Sequence, residues 1–504
     1  MADGTVYSTG SGSVDLTAGA DVKLGQIATS SSSIGIEASN GSISEITATE
    51  DANLISNGVA SLKAAVGIGA QNSIEATVSE LSAVNTGAGD ISLTTDVSAI
   101  YSSVKTGTGS ISIAGKSASS FTEISTTSGS ISVVVTTGNL KADSVVAGGS
   151  GDVSLTTVTS GNVLLGSVSA VSHRVTVTSA GSIGESVSDS AADIEGAEIQ
   201  LSAVSGIGST NDGIETTGGG ATLAAQTTSG AVVISHSGAL TVGTIGGISG
   251  VRIAGPVDGS SASLLSVRTA SPLTVTSSVL NASGGDIVLA SQGNLITDDL
   301  TIKAEVKATG GNGTMGLYAG DSIVVDSGVK LSTAGSGGVL LSASTNYNGG
   351  TLADGYDTPD GDTDSGSVSM SGTSQILTDS GAIVVRGDGS IQLTRVFSTS
   401  GSIQLIANYG GIGSGLGSDK FGSIIDASVD ESVSNLTTTG SVNLTAASGI
   451  GADNALETTI VELSAVNRGT GDIRIAESDG VNLKQMLQES GTASGGIYVV
   501  SGTG

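Results

Sequence analysis

The chain has 504 residues, no cysteine and a net charge of −29, with 17 Lys plus Arg against 46 Asp plus Glu. That balance argues against nucleic acid as a partner, because phosphate contacts need basic patches. It argues equally against binding to anionic lipid, and no run of 18 apolar residues predicts membrane insertion.

The first strong pattern in chain order is a short phrase: a glycine, a small polar residue, then two aliphatics around one variable position. It reads Gly-Asp-Ile-Ser-Leu at 89–93, Gly-Ser-Ile-Ser-Ile at 109–113, Gly-Ser-Ile-Ser-Val at 129–133 and Gly-Asp-Val-Ser-Leu at 151–155. Successive starts lie 20, 20 and 22 residues apart. Late in the chain the phrase returns as Gly-Ser-Ile-Gln-Leu at 389–393 and 401–405, Gly-Ser-Val-Asn-Leu at 440–444 and Gly-Asp-Ile-Arg-Ile at 471–475. Alternation of apolar and polar residues with period two reads as a half-buried strand. A fixed period near 20 reads as a repeat architecture, in which each unit buries its apolar side only against its neighbours.

These signals predict an all-β fold, a right-handed parallel β-helix (β-solenoid) with roughly 20–22 residues per turn and about three short strands in each turn. Composition does not shift along the sequence, so one continuous solenoid over 1–504 is expected. Aromatics make up 2% with no Trp, which suits stacked Val, Ile and Leu of similar size better than an irregular globular core. The 78 glycines are expected at corners, and three prolines leave the strands free to donate ladder hydrogen bonds. Disorder is the competing reading of so much Gly, Ser and Thr, and the periodic aliphatics argue against it.

Residues 67–93 and 449–475 align without a gap and share 17 of 27 positions, including Gly-Ile-Gly-Ala and Glu-Leu-Ser-Ala-Val-Asn. A partial copy starts at Gly181, where Ile194-Glu195 stands seven residues before Leu201, as Ile74-Glu75 stands before Leu81. Further Gly-Ile-Gly fragments lie at 206–208 and 411–413. Copying of multi-turn units suits a spacer.

The segment 344–366 departs most from the period and is expected to be a projecting acidic loop. It carries Asp357, Asp360, Asp362 and Asp364, and several carboxylates on a short loop could supply the oxygen ligands that calcium prefers. The spacing is not that of an EF-hand: counting from Asp360, Gly366 falls at the seventh position and Ser371 at the twelfth. A solvated acidic loop is the alternative. Asp298-Asp299 could be imagined as a glycosidase carboxylate pair, but adjacent strand residues point to opposite faces, so a turn is expected there. His173 and His236 are expected at surface or corner positions. Thr176 with Thr178, and Thr274 with Thr276, fit an ice-binding Thr-x-Thr pattern locally, with no repeat expected in register. Asn-x-Ser/Thr triplets at Asn281, Asn312, Asn435 and Asn443 are expected by chance in a chain so rich in Ser and Thr.

The Gly-Ser-Ile-Gln-Leu and Gly-Ile-Gly-Ala-x-Asn phrases resemble the repeat regions of filamentous-haemagglutinin-like exoproteins and other giant bacterial surface adhesins. The resemblance implies secretion to the bacterial cell surface and a role as adhesin or stalk, with cell-surface or matrix components as partners. It lacks the Asn-Pro-Asn motif of such secretion domains, and Met1–Gly12 shows no signal-peptide pattern. The chain therefore reads as an internal segment of a longer protein. Open strand edges where the repeat pattern breaks off would favour end-to-end self-association. A polysaccharide-active lyase or hydrolase on the same scaffold is the alternative function, distinguished by a groove holding two carboxylates about 5–10 Å apart.

Overall fold

The computed structural model describes residues 5–46, 52–255, 263–293, 295, 297–348, 351–354, 366–407, 422–430, 432–489 and 495–502. Regular structure among them is all strand, with no helix. The chain divides into two compact units, Met1–Ala221 and Thr222–Gly504. Each is a stack of parallel coils, so the β-solenoid expected from the repeat is the fold observed.

In the first unit one interior column runs through Ile43, Ile68, Ile91, Ile111, Ile131, Val153, Val175 and Ile199, each paired with the next in a parallel ladder. Every member is at most 1% exposed, and each such side chain contributes roughly 1.5–3 kcal/mol when buried. The recurring phrase supplies this column, and its second aliphatic supplies the next one inward (Leu93, Ile113, Val133, Leu155). A second face aligns Val104, Ile124, Val145, Val168 and Ile194. Tyr101 and Phe121 stack in successive coils with ring centroids 4.7 Å apart, both fully buried. The Tyr101 hydroxyl keeps a partner 2.9 Å away in Thr95 Oγ1, as a buried phenol requires.

The second unit shows three faces per coil. Its columns run Val232 to Leu463, Leu240 to Ile424 and Val251 to Leu436. Coil length varies more than the sequence period suggests. Ile383 pairs with Ile403 after 20 residues, but Val339 pairs with Ile383 after 44 and Ile403 with Val442 after 39. The extra residues lie between strands, so the ladders keep their register. One insertion contains an antiparallel hairpin, Thr345–Asn348 with Thr351–Asp354, whose first strand lies against Met315–Ala319. On that side even outward positions are buried: Val288, Ala290 and Tyr318 form an apolar cluster outside the solenoid core.

The glycine of the repeated phrase is fixed by close approach. A Cβ on Gly109 would lie 2.1 Å from the Gly89 carbonyl oxygen, one on Gly129 2.0 Å from that of Gly109, and one on Gly151 1.9 Å from that of Gly129. Buried hydroxyls cap the same carbonyls: Thr106 Oγ1 donates to Gly89 O and Thr126 Oγ1 to Gly109 O, at 2.7 and 2.8 Å. Corner polarity is thereby satisfied inside the stack. Both glycines of the three described Gly-Ile-Gly phrases, in contrast, need positive φ: Gly67 and Gly69, Gly206 and Gly208, Gly449 and Gly451.

Candidate functional site

Asp357, Asp360, Asp362 and Asp364, the calcium ligands expected from sequence, lie outside the described residues. The other sequence candidates do not assemble. Asp298 is 1% exposed and its Oδ2 accepts the Leu295 N–H at 2.8 Å, within a turn that Asp298 N closes onto Leu295 O. His173 sits partly exposed on the strand Val163–Ser179. His236, expected at a surface or corner position, is 3% exposed at the last residue of the strand Val232–His236, which pairs with Leu265–Thr269. Thr241, Thr274 and Thr301 stand in one column before Val324 ends it, but Gly243 and Lys303 follow where Thr276 follows Thr274, so the Thr-x-Thr pattern is not repeated in register. Asn281 and Asn435 are fully buried, so neither triplet offers an accessible side chain.

What the fold does bring together is a carboxyl trio that sequence reading missed: Glu185, Asp193 and Glu215, with one oxygen of each within 4.8 Å of the others. Glu185 ends the strand Ile183–Glu185, Asp193 immediately precedes Ile194–Ala203, and Glu215 lies in Ile214–Thr217. Stacking sets them side by side, because Ile183 bridges Ile207 and Ile194 pairs with Thr216. Asp193 is 4% exposed, and its Oδ2 accepts the Glu215 N–H at 2.9 Å. Glu185 Oε1 and Glu215 Oε2 are sealed from solvent with no hydrogen-bond partner.

Electrostatics follow from that enclosure. Burial pushes the Asp193 carboxyl up to about 7, with the charges of Glu185 and Asp189 adding to the effect. Burial also raises Glu215, reinforced by its hydrogen bond to Glu185 and by the charges of Glu185, Asp193 and Asp212. Three carboxyls so close cannot all be ionised without compensation; a proton or a hard cation would relieve them. Separations under 5 Å also approach those of retaining glycosidases. Here, though, Glu185 Oε1 and Glu215 Oε2 are sealed from solvent, out of reach of a polysaccharide.

A second feature is a surface groove of about 550 Å³ on the third face of the second unit. Lys307, Lys330 and Arg395 line it together with Phe397, and the Arg395 guanidinium lies 5.4 Å from the Phe397 ring centroid. Three of the chain's 17 cations gather there, against Glu305 and Asp379. No family model matches this chain, and neither the curated proteins nor the solved structures contain a match to it.

Proposed function

We propose that this chain is an extracellular structural and adhesive solenoid of a bacterial surface or secreted exoprotein, acting as spacer and display surface for cell or matrix contact. Its work is mechanical and not catalytic. The observation that carries this reading is the set of aliphatic columns. Each coil buries its side chains only against the coils above and below, so reach grows by adding coils and rigidity comes from nearest-neighbour stacking. The duplicated segment 67–93 and 449–475 fits growth of that kind. The Lys307–Lys330–Arg395 groove offers a contact surface for anionic groups on cell-surface or matrix components.

Small-angle scattering tests the spacer: a rod-like profile is expected, and a compact one refutes it. Binding of the purified chain to immobilised sulfated and uronic-acid glycans tests the contact surface. Changing Lys307, Lys330 and Arg395 together to Glu should abolish retention, and unchanged retention removes the groove from the proposal. Protease shaving of intact producing cells tests the location. Turnover of a polysaccharide in the same screen would replace this reading with the enzymatic one, and a concentration series would expose end-to-end self-association.

A further inference from the structure

Among the described residues the corner that holds the carboxyl trio occurs three times, and two of its copies solve the same problem with an amide. Glu45, Glu185 and Asp426 each stand two residues after an isoleucine (Ile43, Ile183, Ile424) that pairs with the isoleucine of a Gly-Ile-Gly phrase (Ile68, Ile207, Ile450). In the first copy Asn53 Oδ1 accepts the Glu75 N–H at 3.0 Å, while Nδ2 donates to Glu45 Oε1 at 3.3 Å and to the Gly25 carbonyl at 3.2 Å. In the third, Asn435 Oδ1 accepts the Glu457 N–H at 2.8 Å, and Nδ2 donates to Asp426 Oδ1 at 2.6 Å and the Thr394 carbonyl at 3.0 Å.

The middle copy puts Asp193 in the asparagine's place. Its Oδ2 accepts the Glu215 N–H at 2.9 Å, as the amide oxygens do. Its burial also matches: Asn53, Asp193 and Asn435 are 3%, 4% and 0% exposed. Yet a carboxylate has no hydrogen for the acid opposite, which is Glu185. A protonated carboxyl is the near-isostere of the amide and restores that donor. The buried, partnerless Oε1 of Glu185 points the same way, since its counterparts Glu45 Oε1 and Asp426 Oδ1 each accept the asparagine hydrogen.

We propose that the Glu185–Asp193–Glu215 corner is a proton-binding switch: a proton held there at neutral pH replaces the amide hydrogen of Asn53 and Asn435, and its loss in alkali loosens the coil 185–215. Every other charge that perturbs the trio is acidic, namely Asp189 and Asp212. Of the groups on adjoining strands, Glu195 is engaged by Ser169 Oγ at 2.8 Å and Glu198 by Arg174 at 2.5 Å, and His173 stands beside Arg174. The sign of the effect follows. Free carboxyls titrate near 4, so above that pH the unfolded chain has released a proton the folded corner still holds. The corner's contribution is therefore full below about pH 4, falls as pH rises through the Asp193 and Glu215 values of about 7 and about 8, and is flat above them. One proton of difference corresponds to at most roughly tenfold in the local opening equilibrium per pH unit.

The test is hydrogen exchange on the full chain from pH 5 to 9, corrected for intrinsic exchange rates, in calcium-free buffer and again with calcium. Protection of the 183–217 backbone should fall at least tenfold across that range in the natural chain and fall much less in Asp193→Asn, where only Glu215 remains raised. The converse variant, Asn53→Asp, should install a similar fall in the 45–75 coil. If Asp193→Asn does not fold, Glu215→Gln serves in its place, with a reduced slope expected. Parallel profiles for the natural chain and Asp193→Asn would overturn the proposal. So would saturable calcium binding at pH 8 that restores protection and is lost in Asp193→Asn, which would assign the corner to a metal ion.

Discussion

Replacing Gly129 by alanine tests whether close approach, and not backbone freedom, holds the repeated glycine in place. The added Cβ would sit 2.0 Å from the Gly109 carbonyl oxygen and 2.4 Å from its carbon. Comfortable carbon–oxygen contacts begin near 3.3 Å, so the coils must part locally by roughly 1.3 Å, over a quarter of a ~4.8 Å strand spacing. They are clamped against doing so, because Ile111 N donates to Ser130 O at 2.9 Å and Ile131 N to Asp152 O at 2.8 Å. Separation would also strain the Thr126 hydroxyl, which donates to Gly109 O at 2.8 Å and accepts the Gly129 N–H at 3.1 Å. Overpacking costs about 1–3 kcal/mol and a weakened buried hydrogen bond about 1 kcal/mol, while alanine returns about 0.4–1 kcal/mol by stiffening the unfolded chain. The net expectation is a loss on the order of 2–3 kcal/mol. Gly19→Ala is the control, since nothing lies within 4 Å of its Cβ position, and it should be neutral or stabilising by up to about 1 kcal/mol. Urea denaturation followed by circular dichroism, with hydrogen exchange across residues 107–135, measures both. Equal stability of the two alanine variants would refute the reasoning.

Tyr101→Ala removes half of the stacked aromatic pair and should cost about 3–5 kcal/mol, with a coupling of about 0.5–1.5 kcal/mol to Phe121→Ala in a double-mutant cycle; additivity would deny the pair any specific contact. Calorimetric titration with calcium should give a weak binding signal that vanishes when Asp360, Asp362 and Asp364 are all changed to Asn; no heat with the natural chain disposes of the calcium loop. Deleting 345–365 should destabilise the second unit and raise binding of a hydrophobic dye, and a more stable, dye-free variant would sink that expectation.

Much of the fold was legible because one physical rule repeats. Ile91, Ile111 and Ile131 occupy one column for the same reason that they recur every 20 residues. The carboxyl trio was not legible, because Glu185 and Glu215 are 30 residues apart in sequence and meet only through the coil-to-coil register. A signal did exist in the duplicates. The partial copy starting at Gly181 matches residues 67–85 by its Ile-Glu and Leu-Ser-Ala-Val phrases, but the ladders align Gly206–Glu215 with Gly67–Glu75 instead, one coil later. With that register Asp193 falls opposite Asn53 and Asn435, and the exchange of amide for acid becomes visible. His236 could have been placed from alternation: it shares the parity of Val232 and Ile234 and so points inward, and the exception along Val232–His236 is Val233, buried on the opposite parity.

The long insertions of the second unit show why register survives where period fails, and why deleting one should not simply tidy the stack. Closing a loop costs conformational entropy that grows slowly, about 0.6 kcal/mol for each doubling of length. The 44-residue step from Val339 to Ile383 therefore costs well under 1 kcal/mol more than the 24-residue step from Met315 to Val339. Slipping the ladder by one residue would instead turn Ile383 and Val385 outward, forfeiting about 1.5–3 kcal/mol for each. Register wins by a wide margin, so insertions are tolerated wherever they leave at a corner. On loop entropy alone, removing 345–365 would then be mildly stabilising. The strand it carries lies against Met315–Ala319, however, next to outward-facing Tyr318, which is 8% exposed together with Val288. Losing that neighbouring strand is expected to outweigh the entropy recovered, which is why the shortened chain is expected to be the weaker one.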